Sequence, residues 1–302
     1  MEEMTTGLCP KCGHTLQIPA ELERFSCMYC GERLTKRQLL TQPEEASCSE
    51  EDCAVSFDHA VSRLGWCVQN FRGYQKKILR DAFFEAFETY ETGCAPVIQE
   101  LNSGVRPERQ TELLDRAAEA MLDELSAGWE KKNDMEDEKV ILAIFFVPMV
   151  RKLQLPVSEE FVTLLQKKWV ERYPKSPFYL GDYESISGGF RKKFLGLCFI
   201  TTAVCQELGK PDDCAELTAF RAFRDGYLAA QPDGEALIRE YYNIAPGIVT
   251  CINTCSDRHA SYERIREQYL TPCYEDLLAG RNADCKTRYV QMVRDLEREY
   301  LN

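Results

Sequence analysis

The sequence predicts a mainly α-helical protein with a small β unit at its N-terminus, and three observations carry that prediction. Two Cys-x2-Cys pairs, Cys9/Cys12 and Cys27/Cys30, open the chain. From about residue 57 onward, apolar residues recur at three- and four-residue spacing, the period of a single helix face. Near the middle, Val140 to Leu153 is apolar almost all round, as expected of a central buried helix.

The N-terminal stretch reads CPKCGHTLQIPAELERFSCMYCGERLT. Each Cys-x2-Cys is followed directly by glycine (Gly13, Gly31), which lets the backbone turn tightly around an ion. Two such loops supply the four thiolates of a tetrahedral zinc shell. Short β-prone stretches such as His14 to Ile18 bring the loops together, and the pattern resembles a zinc ribbon spanning residues 1–38. All four positions, Cys9, Cys12, Cys27 and Cys30, are filled by cysteine, so the expected Zn²⁺ is single and structural, with no coordination site open for catalysis. His14 adjoins this set as a surface or supporting residue.

Residues 39–56 read as an acidic linker, with five acids between Glu44 and Asp52. The irregular spacing of Cys48, Cys53, His59 and Cys67 marks loop and surface thiols rather than a second metal site. A helix is expected to start near Phe57, and a helical domain to run over 57–185. Its stripes are Phe83, Phe84, Phe87 and Tyr90, then Leu113, Leu114, Ala117, Met121, Leu122 and Leu125. Pro148 predicts a kink or break in the central helix. Ser158 opens a helix bearing Phe161, Leu164, Leu165 and Trp169, and Trp129 and Trp169 are read as core. Residues 186–302 form a second helical domain. There the stripes are Leu217, Phe220, Phe223 and Tyr227, and then Leu237, Ile238, Tyr241, Tyr242, Ala245, Ile248, Val249 and Ile252. A final docking helix carries Tyr289, Val293, Leu296 and Tyr300. Asp213 and Glu216 suggest a capping box, Arg221 and Asp225 an i,i+4 ion pair, and Pro246 a bend.

The segment CFITTAVC (198–205), with FRAFRDGYL (220–228) and LIREYYNIAP (237–246), resembles the CFI-box C-terminal domain found in many bacterial proteins. The common form of that box begins Cys-Phe-Ile-Ala-Thr-Ala. Cys198, Phe199, Ile200, Thr202 and Ala203 match it, Thr201 replaces its alanine, and Cys205 stands where its tyrosine would be. Phe223, Arg224, Asp225, Tyr227 and Leu228 match the later Phe-Arg-Asp-x-Tyr-Leu element, and Tyr241, Tyr242 and Pro246 match its last. The resemblance covers about 50 of the 302 residues. It implies a domain and no particular reaction. The residues it marks as a possible functional box are Cys198, Thr201, Thr202, Cys205, Arg224, Asp225, Tyr241 and Tyr242.

A helix over 198–208 ending at Gly209 places Cys198 and Cys205 about 10.5 Å apart along its axis, at 1.5 Å per residue. That distance excludes a shared metal or a disulfide between them while the helix is intact. Cys198, Thr201, Thr202 and Cys205 then form a stripe of small residues suited to close helix packing, in which a buried threonine returns its hydroxyl to the preceding turn. The alternative is a reactive thiol, activated by the basic run Arg191 to Lys193 if that run folds nearby. Cys251, Cys255 and His259 have i, i+4, i+8 spacing that offers a weaker metal site.

Net charge is −12. Residues 1–38 carry five Lys/Arg against five Asp/Glu, and residues 186–302 carry 15 against 17. No segment is basic, which disfavours nucleic acid as the ribbon's partner. The longest apolar run, Val140 to Val150, has 11 residues against the roughly 20 that span a bilayer. With no signal-peptide pattern and 15 cysteines, an odd number, the reading is a cytoplasmic protein with reduced thiols. Two function classes follow: a non-enzymatic zinc-ribbon interaction or regulatory protein with a protein partner, or a thiol-dependent enzyme or redox or ligand sensor using Cys198 or Cys205.

The two Cys-x2-Cys-Gly loops generate a direct test. Elemental analysis of the purified chain is expected to give about one zinc, and Cys12→Ser to remove it. Full zinc retention in that variant overturns the assignment.

Overall fold

The computed structural model describes residues 4–8, 15–19, 22–29, 31–36, 49–131, 133–191, 198–255 and 257–302. They fall into two compact units, Met1–Cys53 and Ala54–Asn302. The architecture is mainly α with a small antiparallel β region near the N-terminus, as the sequence predicts.

In the first unit, β1 (Met4–Leu8) pairs with β2 (Thr15–Pro19), and β3 (Arg24–Ser26) pairs with β4 (Arg33–Thr35), both antiparallel. Each hairpin brackets one Cys-x2-Cys pair in the sequence. Cys9, Cys12 and Cys30 lie outside the described residues, as do His14 and Cys48. Cys27 is described and buried, with Leu16 and Leu34, against Phe25. The Gly31 amide donates to the Cys27 carbonyl at 2.8 Å, and Gly31 adopts φ +74°, a conformation that costs other residues steric strain. The tight turn expected after the second pair is therefore formed.

The second unit is helical. Helix α1 (Glu50–Leu64) begins ahead of Phe57, because Glu50, Glu51 and Asp52 occupy its first turn, where the helix dipole favours negative charge. After α2 (Trp66–Gln69) come α3 (Phe83–Gly104), α4 (Gln110–Ala127) and α5 (Asp134–Ile141). The central apolar run continues through a π-helical turn, Leu142–Phe146, into α6 (Val147–Lys152), and its side chains are buried from Ile141 to Val150. Pro148 lacks the amide that would close an α-turn, and the expected break takes the form of this widened turn just before it. Next are α7 (Ser158–Arg172) and α8 (Tyr183–Arg191), so a helix spans the boundary placed at 185/186 from sequence.

The core of this half is aromatic. Phe145 lies 5.5 Å from both Tyr74 and Tyr90 and 5.9 Å from Phe83, and the Phe83 ring stacks on Phe190 of α8 at 4.3 Å. Trp169 is fully buried, meets Trp129 edge-on at 6.2 Å, and donates its indole N–H to the Ser176 carbonyl at 2.7 Å. Beside them Glu138, fully buried, accepts from Arg72 Nε at 2.7 Å and from Trp129 Nε1 at 2.8 Å.

The C-terminal half comprises α9 (Phe199–Glu207), α10 (Ala215–Ala222) continuing into a π-helical segment Phe223–Leu228, and α11 (Gly234–Cys255). They are followed by α12 (Arg258–Ile265), a third π segment Arg266–Leu270, α13 (Thr271–Leu278) and α14 (Asn282–Tyr300). Helix α11 runs through Pro246 as one element and packs against α5, α8, α9, α12 and α14. It also touches the chain segment before α3. There Arg80 N–H donates to the Asn243 carbonyl at 3.0 Å and Asp81 N–H to its side-chain oxygen at 3.1 Å.

One turn further along, a Cβ built on Gly247 would fall 1.9 Å from the Ile78 carbonyl oxygen. Because the obstruction is backbone, Gly247→Ala is expected to destabilise the fold by about 1–3 kcal/mol, despite alanine's better helix propensity. Chemical denaturation checks this; a gain in stability would show that α11 sits further from Ile78.

Candidate functional site

The box residues converge where α9, the segment after α10, α11 and α14 meet. Cys198 immediately precedes α9 and caps it with no side-chain bond, leaving first-turn amides without a partner from the cap side chain. Helix α11 supplies one: the Tyr241 hydroxyl accepts the Ile200 N–H at 3.0 Å. From α14, the Tyr289 hydroxyl meets Thr201 Oγ1 at 3.2 Å. Burial drives the Tyr241 hydroxyl well above the usual tyrosine range, so it stays protonated.

The expectation for the two threonines divides. Thr201 is buried and hydrogen-bonded, but to a tyrosine of another helix rather than to its own preceding turn. The half-buried Thr202 has a buried hydroxyl with no hydrogen-bond partner among the described residues. Its backbone amide, not its side chain, makes the local bond, donating to the Cys198 carbonyl at 2.6 Å.

Cys198 is buried, and Arg224 Nη1 points at its sulphur from 3.5 Å. Arg224 also grips the carboxylate of Asp225 with two bonds, Nε to Oδ1 at 2.6 Å and Nη2 to Oδ2 at 2.7 Å. The arginine holds the Asp225 carboxyl below its ordinary range. This pair replaces the expected Arg221–Asp225 pair. The π turn at 223–228 alters the helical phase, and Arg221 binds Asp212 instead, donating to its carboxylate and to its carbonyl at 2.8 Å each. For Cys198, burial pushes the thiol up; the Arg224 and Arg221 charges pull the other way and do not overcome it. Phe199 and Tyr242 meet edge-on at 6.3 Å on the outer side of the cluster. Between Cys198, Phe220, Phe223, Leu237 and Tyr241 lies an apolar cavity of about 50 Å³. That is well below the ~300 Å³ at which small-molecule pockets begin.

Cys205 faces elsewhere. Helix α9 ends in a Schellman turn, with Gly209 at φ +68°, the Lys210 amide donating to the Cys205 carbonyl at 2.9 Å and the Gly209 amide to that of Gln206 at 3.0 Å. The predicted stop at Gly209 is where the helix ends. The chain then doubles back and brings Cys214 Sγ to 3.8 Å from Cys205 Sγ. Burial, with a contribution from Cys214, pushes the Cys205 thiol up to about 12. Cys214 caps α10 in place of the expected Asp213 capping box, and Glu216 pairs with Lys210 instead.

The other proposed ligands and activators are dispersed. His259 sits on α12 with Nδ1 3.5 Å from Glu207, while Cys251 donates to the Tyr300 carbonyl at 3.6 Å. Among the described residues no three His, Cys, Asp or Glu side chains are grouped to hold a metal. His59 binds Glu100 at 2.6 Å, away from any thiol ligand set. Arg191 pairs with Glu184 at 3.1 Å and lies over the Phe84 ring; Lys192 and Lys193 fall outside the described residues. Sequence reasoning missed two participants. Tyr289 has the pattern only of a docking residue of the last helix, and nothing in the spacing joins Cys214 to Cys205 except the reversal that Gly209 and Pro211 signal.

Comparison with known proteins adds no relative: no family model, no curated protein and no solved structure matches the chain.

The hydrogen-bond pattern separates the two threonines experimentally. Thr201→Val is expected to cost about 1–2 kcal/mol, since it removes the bond between a buried threonine and the half-buried Tyr289, whereas Thr202→Val is expected to be neutral or mildly stabilising. Equal losses in denaturation midpoint would contradict this. The raised Cys198 and Cys205 thiols also set a pH dependence. Their neutral forms are favoured in the fold, so the contribution is complete below the ordinary thiol pKa of about 8.5 and is lost as pH rises above it toward the folded values. Stability falling between about pH 9 and 11 in the parent, and falling less in Cys198→Ala, is the expected result.

Proposed function

We propose that this chain is a non-enzymatic zinc-ribbon interaction or regulatory protein of the bacterial cytosol. A single structural zinc would be held by Cys9, Cys12, Cys27 and Cys30, and the helical body would present or receive a protein partner. The observation that carries the reading is how the box spends its polar groups. The Tyr241 hydroxyl takes the Ile200 amide, Tyr289 takes Thr201, and Arg224 takes Asp225 and the Cys198 sulphur. Apart from the Thr202 hydroxyl, these groups satisfy one another, which supports a lock between helices. A catalytic constellation would instead aim a nucleophile and a base at open space. The ribbon half of the proposal is supported by the buried Cys27 and the left-handed Gly31 that turns the chain behind it. The resemblance of residues 198–246 to the CFI-box domain supports the bacterial assignment. The acidic balance of the chain disfavours nucleic acid as partner.

A second reading, a thiol-dependent enzyme or sensor at Cys198, draws on the guanidinium 3.5 Å from that sulphur. Burial counts against it, because thiolate formation there is opposed.

The test is affinity capture from native cytosol with the full chain, Cys27→Ser and Arg224→Ala. A partner retained by the parent and by Arg224→Ala, and lost with Cys27→Ser together with the zinc, is the expected outcome. Identical recovery by all three chains would overturn the ribbon's role. Rapid alkylation of Cys198 in the folded protein would favour the second reading.

A further inference from the structure

The described cysteines include three close associations, and they differ in access to solvent. Cys67 and Cys94 are both fully buried, with Cys94 Sγ 3.8 Å from the Cys67 carbonyl. Cys273 and Cys285 are likewise fully buried. The third pair, Cys205 and Cys214, has its sulphurs 3.8 Å apart, and Cys214 is the one member of these pairs that is not buried. The pair sits where the largely exposed segment from Gly209 to Asp213 reverses the chain, and Lys210 and Glu216 form an ion pair beside it. A disulfide is about 2.05 Å long, so bonding requires the sulphurs to approach by about 1.8 Å. Side-chain rotation at the helix cap adjoining this turn would have to supply that approach. The arrangement pairs a half-buried cysteine with a sheltered one that can resolve it.

We propose that Cys205 and Cys214 form a thiol–disulfide exchange site that takes low-molecular-weight disulfides such as oxidised glutathione. Cys214, as thiolate, attacks one sulphur of the incoming disulfide; that S–S bond breaks and one thiolate leaves, gaining a proton from solvent. Cys205 then gives up its proton to solvent and attacks Cys214 Sγ, expelling the second thiolate, which is protonated in turn. Two protein thiols are oxidised to one disulfide, and one external disulfide is reduced to two thiols. Excess reduced thiol reverses both steps. The closed form ties the end of α9 to the start of α10, the helix that leads to Arg224. The site requires neither zinc in the ribbon nor reactivity at Cys198, so it stands or falls separately from the reading above.

The experiment uses the full chain in glutathione buffers of increasing oxidised fraction, followed by capping of residual thiols with iodoacetamide and peptide mapping by mass spectrometry. A Cys205–Cys214 linked peptide is expected to accumulate and to disappear on adding reduced glutathione. Cys67, Cys94, Cys273 and Cys285 should be capped only after denaturation. In the native protein, Cys214 should be alkylated at least about ten-fold faster than Cys198. Cys205→Ser is expected to stop at glutathionylated Cys214, and Cys214→Ser to leave Cys205 unmodified. Cys205→Ala serves as a second variant, and thermal melts establish that each chain is folded. Cys9, Cys12, Cys27 and Cys30 are mapped in the same digest, so oxidation of the ribbon is scored apart. Stable glutathionylation of Cys214 in the parent without progress to the linked peptide would overturn the proposal. Linkage of Cys205 to another cysteine would do the same.

Discussion

Helix α11 is the wall on which both halves of the helical unit lean, and its position is fixed by a contact that tolerates no side chain. At Gly247 the helix backbone passes over the Ile78 carbonyl so closely that even a methyl group is excluded. Neighbouring bonds from Arg80 and Asp81 to Asn243 hold the same junction. From that anchored line Tyr241 reaches the first turn of α9, while α8, α12 and α14 pack along other faces. A helix shared in this way explains why residues 54–302 behave as one unit where the sequence suggests two.

The same wall explains the chemistry of the box. Its thiols differ by position rather than by neighbouring residue type. Cys198 has a guanidinium beside it and is still held neutral, because desolvation of a buried sulphur outweighs the Arg224 and Arg221 charges, each engaged by a carboxylate. Cys214 has a less conspicuous environment but is only half-buried. Accessibility, set by where helices end, therefore distinguishes these sulphurs more sharply than proximity to a cation does.

Local features were legible in the sequence, and relations across the chain were less so. The apolar stripes located α3, α4, α7, α11 and α14, and Gly209 located the end of α9, because period and turn chemistry are written in consecutive residues. The burial of Val140 to Val150 followed from its lack of a polar face. The partners of Thr201, Arg221 and Asp225 were not legible. Each depends on which residue a distant helix, or a helix of altered pitch, places opposite. Nor does charge patterning identify Glu138, one acid in an acidic stretch, as the fully buried acceptor for Arg72 and Trp129. Of the N-terminal unit, a β-prone stretch near Thr15 to Ile18 and the Gly31 turn were legible, while Cys9, Cys12 and Cys30 lie outside the described residues.

The π-helical turns have a consequence of another kind. A π turn accommodates one residue more than the α-helix around it, so it resets the angular phase of everything downstream by about 100°. At 223–228 this reset accompanies the pairing of Arg224 with its immediate neighbour and the release of Arg221 to Asp212. The segments 142–146 and 266–270 interrupt their own helices in the same manner. Excising a single residue from such a turn would shorten the chain by one amino acid and return the helix to regular α pitch, with the downstream face keeping its orientation. Conversely, an insertion of one residue can be absorbed there without breaking the helix. Length variants of this protein are thus expected to be tolerated at loops and at these three turns on quite different terms: as slack in the former, as a change of helical pitch in the latter.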